Sequence, residues 1–171
     1  MYLTWWYFIM MKSKKKTEEE KVVILLNLRS VQNTASVFRT AEGAGISKVY
    51  LVGTTPSPED RFGNSRGDFA KVALGAETTL SWEYRSAILP VLKKLREEKF
   101  QIVAVEQDKV AINYKKFSPS EKTAFIFGEE TKGIPRSILE KADSVVEIPM
   151  QGSKESLNVS VAAGIILFGC V

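Results

Sequence analysis

The 171-residue chain contains no histidine and a single cysteine, Cys170. The lack of histidine excludes a Ser-His-Asp triad, a Cys-His pair and any histidine-ligated metal site. One cysteine cannot form a disulfide within the chain or supply a metal cluster, so we expect a reducing compartment, the cytoplasm, and no bound metal. Any proton transfer must therefore use carboxylates, Lys, Arg, Tyr, Ser or the substrate itself.

The sequence also lacks an apolar run of the roughly 20 residues that a membrane-spanning helix needs. Its N-terminal run, MYLTWWYFIMM, is too short, and the lysines of KSKKKTEEE follow it instead of preceding it as in a signal peptide. Three interpretations remain: non-native residues from an upstream start codon, which we favour, an interfacial anchor, or a packing arm. We treat residues 1–20 as a tail and residues 21–171 as one domain, and we expect no membrane partner.

The overall composition is that of an ordinary globular protein, with 44% hydrophobic and 26% charged residues. The formal net charge is +4. A mild basic excess of this kind permits a polyanionic partner such as RNA without requiring one.

Buried strands and amphipathic helices alternate from residue 21 onward. This order predicts a doubly wound α/β fold, a parallel sheet flanked by helices. Asn33 is predicted to cap the first helix, and the final helix is predicted over SLNVSVAAGIILF, residues 156–168. The predicted strands are VVILLNL (22–28), KVYLVG (48–53), TTLSW (78–82), FQIVAVEQ (100–107), KTAFIFGEE (122–130) and SVVEIPM (144–150).

Polar residues gather after three of these strands, where ligands bind in parallel α/β sheets. The segments are RSVQNTASVFR (29–39), GEETKG (128–133) and PMQGSKESLN (149–158). GEETKG lacks the Gly-Lys-Ser/Thr ending of a phosphate loop, which excludes an ATP site of that kind. Taken singly, each polar residue has a simple structural explanation: for example, Arg39 could be a surface arginine paired with Glu42.

Taken together, the three segments closely resemble the motifs of the SpoU (TrmH) family of RNA ribose 2′-O-methyltransferases in the SPOUT superfamily. The matching residues are Asn33 and Arg39, then Gly128-x-Glu130-x-x-Gly133, then Ile148-Pro149-Met150 with Ser156-Leu157-Asn158-Val159-Ser160. The resemblance implies an α/β knot fold with a deep C-terminal trefoil knot. It also implies S-adenosylmethionine as cofactor, tRNA or rRNA as substrate, and a homodimer formed through the knot region.

The resemblance further implies roles for individual residues. The catalytic pocket would contain Asn33, Arg39, Glu130, Ser156 and Asn158, with Glu130 and Asn158 helping to orient Arg39. Arg39 would act either as general base on the ribose 2′-hydroxyl or, more economically for a group with a pKa above about 12, as a positioning and electrostatic group. The cofactor would contact Phe127, Gly128, Glu147, Ile148, Met150 and Leu157. The RNA would contact Arg29, Arg61, Arg66 and Lys132.

The second motif departs from the family pattern at two positions. Glu129 and Thr131 stand where Asn and Gly are usual, and the additional acid places negative charge near the expected RNA site. Two alternatives to the ribose methyltransferase remain open: a catalytically silent RNA-binding homologue and a base-methylating relative with the same fold. The sequence does not identify the RNA or the nucleotide.

Overall fold

The computed structural model describes residues 19–170, so the predicted tail lies, apart from Glu19 and Glu20, outside the described residues. Its centre is one sheet of seven strands, all parallel, in the order β3-β2-β1-β6-β4-β7-β5. The predicted parallel sheet is therefore confirmed. The strands are β1 (Glu20–Leu26), β2 (Lys48–Val52), β3 (Ser81–Arg85), β4 (Gln101–Val105), β5 (Ile112–Asn113), β6 (Lys122–Phe127) and β7 (Ser144–Glu147).

Helices cover both faces of the sheet. Because successive side chains of a strand point to opposite faces, Val23 and Leu25 of β1 pack on one side, and Val22, Ile24 and Leu26 on the other. The first side is covered by α1 (Val31–Gly43), α2 (Gly67–Ala73), α3 (Ala76–Thr79) and α6 (Val159–Gly169). The second side is covered by α4 (Ile88–Glu97) and α5 (Arg136–Leu139). Burial on both faces explains why the inner strands β1, β2, β4 and β6 are largely apolar, whereas the edge strand β3 is mostly polar.

A buried threonine joins the ends of β1 and β2. The Thr55 hydroxyl donates to the carbonyl oxygen of Leu25, 2.8 Å away, and accepts a hydrogen bond from the backbone N–H of Leu28 at 3.1 Å. These bonds fix the chain just after β1, where the segment leading into α1 begins. The first motif therefore starts from a rigid point at the carboxyl edge of the sheet.

Two predicted helix starts are wrong, and both differences affect the site. Ser30, not Asn33, caps α1: its Oγ accepts a hydrogen bond from the backbone N–H of Asn33 at 3.1 Å. The final helix begins at Val159 instead of Ser156, because the side chain of Asn158 caps it. The amide of Asn33 is thereby free for other contacts, and Ser156 lies in the loop before the helix.

Within residues 19–170, none of the helices combines the length and apolar character needed to cross a membrane.

Candidate active site

A cavity of about 440 Å³ lies beyond the carboxyl ends of β4, β6 and β7. All the residues that the sequence resemblance assigns to the cofactor line it, together with Glu130, Lys132 and Ser156. Those cofactor residues are Phe127, Gly128, Glu147, Ile148, Met150 and Leu157. Segments that span some thirty residues of sequence, from Phe127 to Leu157, therefore form one concave surface.

The loop after β6 is tightly folded, which explains its two glycines. A Cβ on Gly128 would lie 2.5 Å from the carbonyl carbon of Gly133 and 2.7 Å from Cγ1 of Ile134. Gly133 has a φ of +64°, a left-handed conformation that disfavours other residues. Its N–H donates to the carbonyl oxygen of Glu129 at 2.9 Å and closes the loop. Gly128 is thus required by close backbone approach within the cavity wall.

Glu106, at the end of β4, holds this loop in place and was not predicted as a site residue. Its Oε2 accepts a hydrogen bond from the backbone N–H of Ile134 at 2.9 Å, and its Oε1 accepts one from the N–H of Gln107 at 3.0 Å. Both Glu106 and Gln107 line the cavity. The sequence did contain a signal for this site: Glu106 and Gln107, an acid and an amide, directly follow a buried strand. The three motif segments were recognised from polar residues at the same position.

A chain of hydrogen bonds joins the three motif segments beside the cavity. Glu130 Oε1 accepts from Nδ2 of Asn33 at 2.9 Å, and Oδ1 of Asn33 accepts from Nδ2 of Asn158 at 3.1 Å. Oδ1 of Asn158 in turn accepts from the backbone N–H of Ser160 at 2.8 Å. The loop after β6, helix α1 and the start of α6 are therefore connected through side chains.

The two ends of this chain determine the orientation of both amides. An ionised carboxylate at Glu130 can only accept, so Asn33 must turn its NH₂ group toward it. The N–H of Ser160 can only donate, so Asn158 must turn its oxygen toward the helix. The remaining oxygen of Asn33 and NH₂ of Asn158 then face each other as acceptor and donor. Reversing either amide would leave two like groups in contact.

Glu130 also accepts from the backbone N–H groups of Arg29, at 3.1 Å, and Ser30, at 3.3 Å. Partial burial acts to raise the pKa of the Glu130 carboxyl, but the hydrogen bonds from the Asn33 amide and the backbone outweigh it, and the pKa lies below its ordinary value. Glu130 therefore stays ionised at neutral pH, as the chain requires.

The cavity wall is rich in carboxylates. Glu106, Glu129, Glu130 and Glu147 line it, whereas Lys132 is the one cationic side chain among the lining residues. Such a surface favours a ligand that carries positive charge.

The two departures from the second motif contact each other. The Thr131 hydroxyl donates to Glu129 Oε1 at 3.0 Å, and the Arg29 guanidinium lies 3.9 Å from the same oxygen. The Glu129 side chain is largely buried, with 14% exposed, whereas Arg29 is 71% exposed. The negative charge of Glu129 is thus partly balanced by a hydrogen bond from Thr131 and by the nearby guanidinium of Arg29.

Arg39 does not join this arrangement. It is exposed on α1, does not line the cavity, and forms no hydrogen bond or ion pair with Glu130, Asn158 or Glu42 in residues 19–170. Six helical residues separate Arg39 from Asn33, which is a rotation of about 240° and a rise of about 9 Å. Glu130 and Asn158 contact Asn33 instead, so the expected orientation of Arg39 by these residues is not formed within one chain.

The residues predicted to contact RNA fall into two places. Arg29 and Lys132 lie beside the cavity, since Lys132 lines it and the Arg29 backbone binds Glu130. Arg61 and Arg66 lie on the loop after β2, outside the cavity, and Arg66 forms an ion pair with Asp68 at 2.9 Å.

Comparison with known proteins agrees with this geometry. Residues 20–168 match the SpoU rRNA Methylase family. This chain belongs to that family. The tRNA (guanosine(18)-2′-O)-methyltransferase of Aquifex aeolicus (strain VF5) is 31% identical over 146 residues, which cover 83% of this chain and 64% of that protein. The chain therefore spans less than two thirds of that relative's length.

Two solved structures have the same fold. The A. aeolicus TrmH/SpoU tRNA modifying enzyme superposes with a TM-score of 0.76 at 26% identity, covering 94% of this chain and 82% of that one. An AdoMet-bound rRNA methyltransferase from Sinorhizobium meliloti superposes with a TM-score of 0.78 at 25% identity, covering 89% of this chain and 56% of that one.

Within the described range, no group of three or more Asp, Glu or Cys side chains is arranged to hold a metal ion.

Proposed function

We propose that this SpoU-family chain transfers a methyl group from S-adenosylmethionine to a ribose 2′-hydroxyl of tRNA or rRNA, in the cytoplasm and without a metal. The observation that carries the proposal is the hydrogen-bonded chain from Glu130 through Asn33 to Asn158. It joins the three motif segments beside a single cavity, as a shared active site requires. Family membership and the similarity to named tRNA and rRNA methyltransferases support the reaction class.

The cavity suits S-adenosylmethionine in size, polarity and charge. A volume of about 440 Å³ falls in the range of small-molecule sites. Phe127, Ile148, Met150 and Leu157 offer apolar walls for an adenine, and the tight loop after β6 offers backbone groups. The lining carboxylates favour a ligand with a sulfonium and an ammonium group. When bound, the cofactor would supply an electrophilic methyl group.

The main role of the residues around the cavity would be to hold the substrate in the orientation that the methyl transfer needs. Glu130 and Asn33 fix the segment that leads into α1, and Asn158 fixes the start of α6, so the cavity walls are preorganised. Ser156 lines the cavity and would offer its hydroxyl to the ribose. Arg39 would bind the phosphate beside the reacting ribose and stabilise the oxygen as its proton leaves.

We also propose a homodimer formed through α6. Val161 and Phe168 are 50% and 64% exposed, and a Cβ on Gly43, one helical turn after Arg39 on α1, would lie 3.7 Å from the Phe168 ring. A second copy covering this apolar surface would bury both side chains. It would also place Arg39 at the interface, which suits a residue that does not reach the cavity of its own chain.

The trefoil knot expected from the resemblance is likewise a proposal. Support comes from strand order: β7 lies between β4 and β5, both of which precede it in the chain, and the segment that follows β7 returns to form the cavity with the loop after β6. Tracing the path of residues 120–170 in a crystal structure tests the knot directly.

The test of function is transfer of a labelled methyl group from S-adenosylmethionine to bulk tRNA and to bulk rRNA. We expect transfer by the wild type and a loss of about 100-fold or more in Arg39→Ala, with cofactor affinity unchanged because Arg39 does not line the cavity. Lys93→Ala, an exposed cation on the opposite face of the sheet, is the matched control. Nucleoside analysis identifies the methylated atom.

Each alternative corresponds to a different result. RNA binding without transfer by the wild type would identify a silent homologue. Transfer to bases, revealed by product sites that remain sensitive to alkaline cleavage, would identify a base methyltransferase.

A further inference from the structure

The loop after β2, residues 53–66, carries an exposed aromatic side chain that the fold does not explain. Phe62 is 74% exposed, the highest value among the large apolar side chains of residues 19–170. The guanidinium carbon of Arg61 lies 4.7 Å from the centre of its ring. A flat apolar surface and a cation thus stand together in solvent, and neither helps to bury the core.

Several hydrogen bonds hold this pair in position. The Asp60 carboxylate accepts from the N–H of Phe62 at 2.8 Å, from the N–H of Asn64 at 2.9 Å and from Nδ2 of Asn64 at 3.2 Å. The N–H of Arg66 also donates to the carbonyl oxygen of Pro58 at 2.9 Å. The backbone hydrogen bonds keep the pKa of Asp60 below its ordinary value, so the turn persists at neutral pH. The aromatic side chain is therefore presented by an ordered turn.

The charges of the loop leave one arginine available for a ligand. Arg66 is paired with Asp68, and the carboxylate of Asp60 is engaged by the turn. Arg61 makes no ion pair within the described part of the chain. The open groove beside Phe62 is also lined by Tyr84 and Thr54, which offer a second aromatic ring and a hydroxyl group, and by the acidic residues Glu59 and Asp60.

The loop lies on the same edge of the sheet as the active-site cavity. Every strand is parallel, so the loops after β2, β1 and β6 leave from one edge. β2 and β6 are separated only by β1, which places their ends about 10 Å apart. A single RNA strand in the cavity could extend over Arg29 to Phe62.

We propose that Phe62 and Arg61 form a stacking site for one unpaired nucleobase of the RNA substrate, with Arg61 also contacting a phosphate. This inference rests on the proposed function and specifies the RNA: the region next to the methylated ribose is a single-stranded loop, not a duplex. Bases inside a duplex are already stacked and do not expose a free face, whereas an unstacked base can lie on an aromatic ring.

The test compares the full chain's affinity for three probes: short oligoadenylate, an abasic strand of equal length, and a duplex of the same length. We expect Phe62→Ala to weaken oligoadenylate binding roughly 5- to 100-fold while leaving the abasic strand unaffected, because only the former has bases to stack. Phe62→Trp should retain binding and should show fluorescence quenching by oligoadenylate. Arg61→Ala should weaken binding of both single strands and reduce the salt dependence by about one phosphate contact.

Leu89→Ala is the matched control, since Leu89 is exposed to 52% on α4, away from the loop. The inference fails if Phe62→Ala binds oligoadenylate as the wild type does, if it loses affinity equally for the abasic strand, or if the wild type prefers the duplex. Methyl transfer by the wild type, measured in parallel, separates this failure from failure of the proposed function. If the wild type transfers methyl groups but Phe62→Ala does not change oligoadenylate binding, the stacking site is refuted and the proposed function is not.

Discussion

Replacing Asn33 with aspartate would remove one donor from the hydrogen-bonded chain beside the cavity and would place a second negative charge next to Glu130. The side chain keeps its size, and its oxygen can still accept from Asn158. Toward Glu130, however, an NH₂ group at 2.9 Å becomes a second carboxylate oxygen. The variant therefore tests whether the link from α1 to the loop after β6 stabilises the site.

The expected loss follows from two contributions. A hydrogen bond to a charged group contributes about 1.5–3 kcal/mol. Two unit charges 2.9 Å apart repel by about 1.4 kcal/mol in a water-like medium, which is appropriate because Glu130 is exposed. With some relaxation of the side chains, we expect Asn33→Asp to lose about 2–4 kcal/mol, or roughly 5–15 °C in melting temperature for a chain of this size.

The effect should depend on pH in a direction that the charges determine. In the wild type, the lowered pKa of Glu130 contributes stability above the carboxyl group's unfolded pKa of about 4.3, and this stability is lost as the pH falls through the folded value. In Asn33→Asp, repulsion between the two carboxylates raises the pKa of one of them, so protonation of that group removes the repulsion. The gap in melting temperature between variant and wild type should therefore narrow from pH 7.5 to pH 5.

The assay is thermal unfolding at both pH values, combined with calorimetric titration of S-adenosylmethionine. Asn64→Asp is the matched control, because Nδ2 of Asn64 donates to Asp60 at 3.2 Å in a similar amide–carboxylate pair outside the cavity. It should leave cofactor affinity unchanged, whereas Asn33→Asp should lower it. Equal melting temperatures for Asn33→Asp and the wild type at pH 7.5 would refute the argument.

Three further predictions concern other parts of the molecule. Gly128→Ala should lower cofactor affinity at least tenfold in calorimetry, because its Cβ would lie 2.5 Å from the Gly133 backbone. Gly152→Ala is the control and should bind the cofactor normally, because a Cβ at Gly152 has no atom within 4 Å. Equal affinities for the two variants would contradict the role assigned to Gly128. Val161→Glu should elute as a monomer in size-exclusion chromatography, and an unchanged dimer would place the interface elsewhere. Cys170 should react with a thiol reagent only after denaturation, because it is buried and burial raises its pKa; rapid labelling of the native protein would show that the end of α6 opens.

The sequence was sufficient for most of the sheet and for the cavity wall. The prediction missed β5 (Ile112–Asn113) and placed the third strand at residues 78–82, whereas β3 is Ser81–Arg85. Near-continuous apolar runs such as residues 22–28 identify strands that are buried on both faces, and glycines with polar residues mark the loops at their carboxyl ends. Gly128 and Met150 could therefore be assigned to one site from a resemblance carried by short motifs. Their placement in a single cavity follows from the parallel direction of β6 and β7.

The side-chain partners could not be predicted in the same way. Ser30 and Asn33 are both good helix caps, and only the three-dimensional position of Glu130 shows why the serine caps and the asparagine does not. Glu106 was missed because its role depends on the backbone of Ile134, which lies 28 residues away in sequence. Arg39 was expected beside Glu130 from the motif resemblance alone. A short motif does not show which face of a helix a residue occupies.

The order of strands in the sheet has a consequence for synthesis on the ribosome. β6 inserts between β1 and β4, and β7 inserts between β4 and β5, although every one of these neighbours is translated first. During synthesis, the edges of β1, β4 and β5 that later pair with β6 and β7 therefore remain unpaired. Unpaired strand edges can pair with the wrong strand or with another chain. Folding should be slow for a protein of this size, and cells that lack chaperones should accumulate this polypeptide in aggregates.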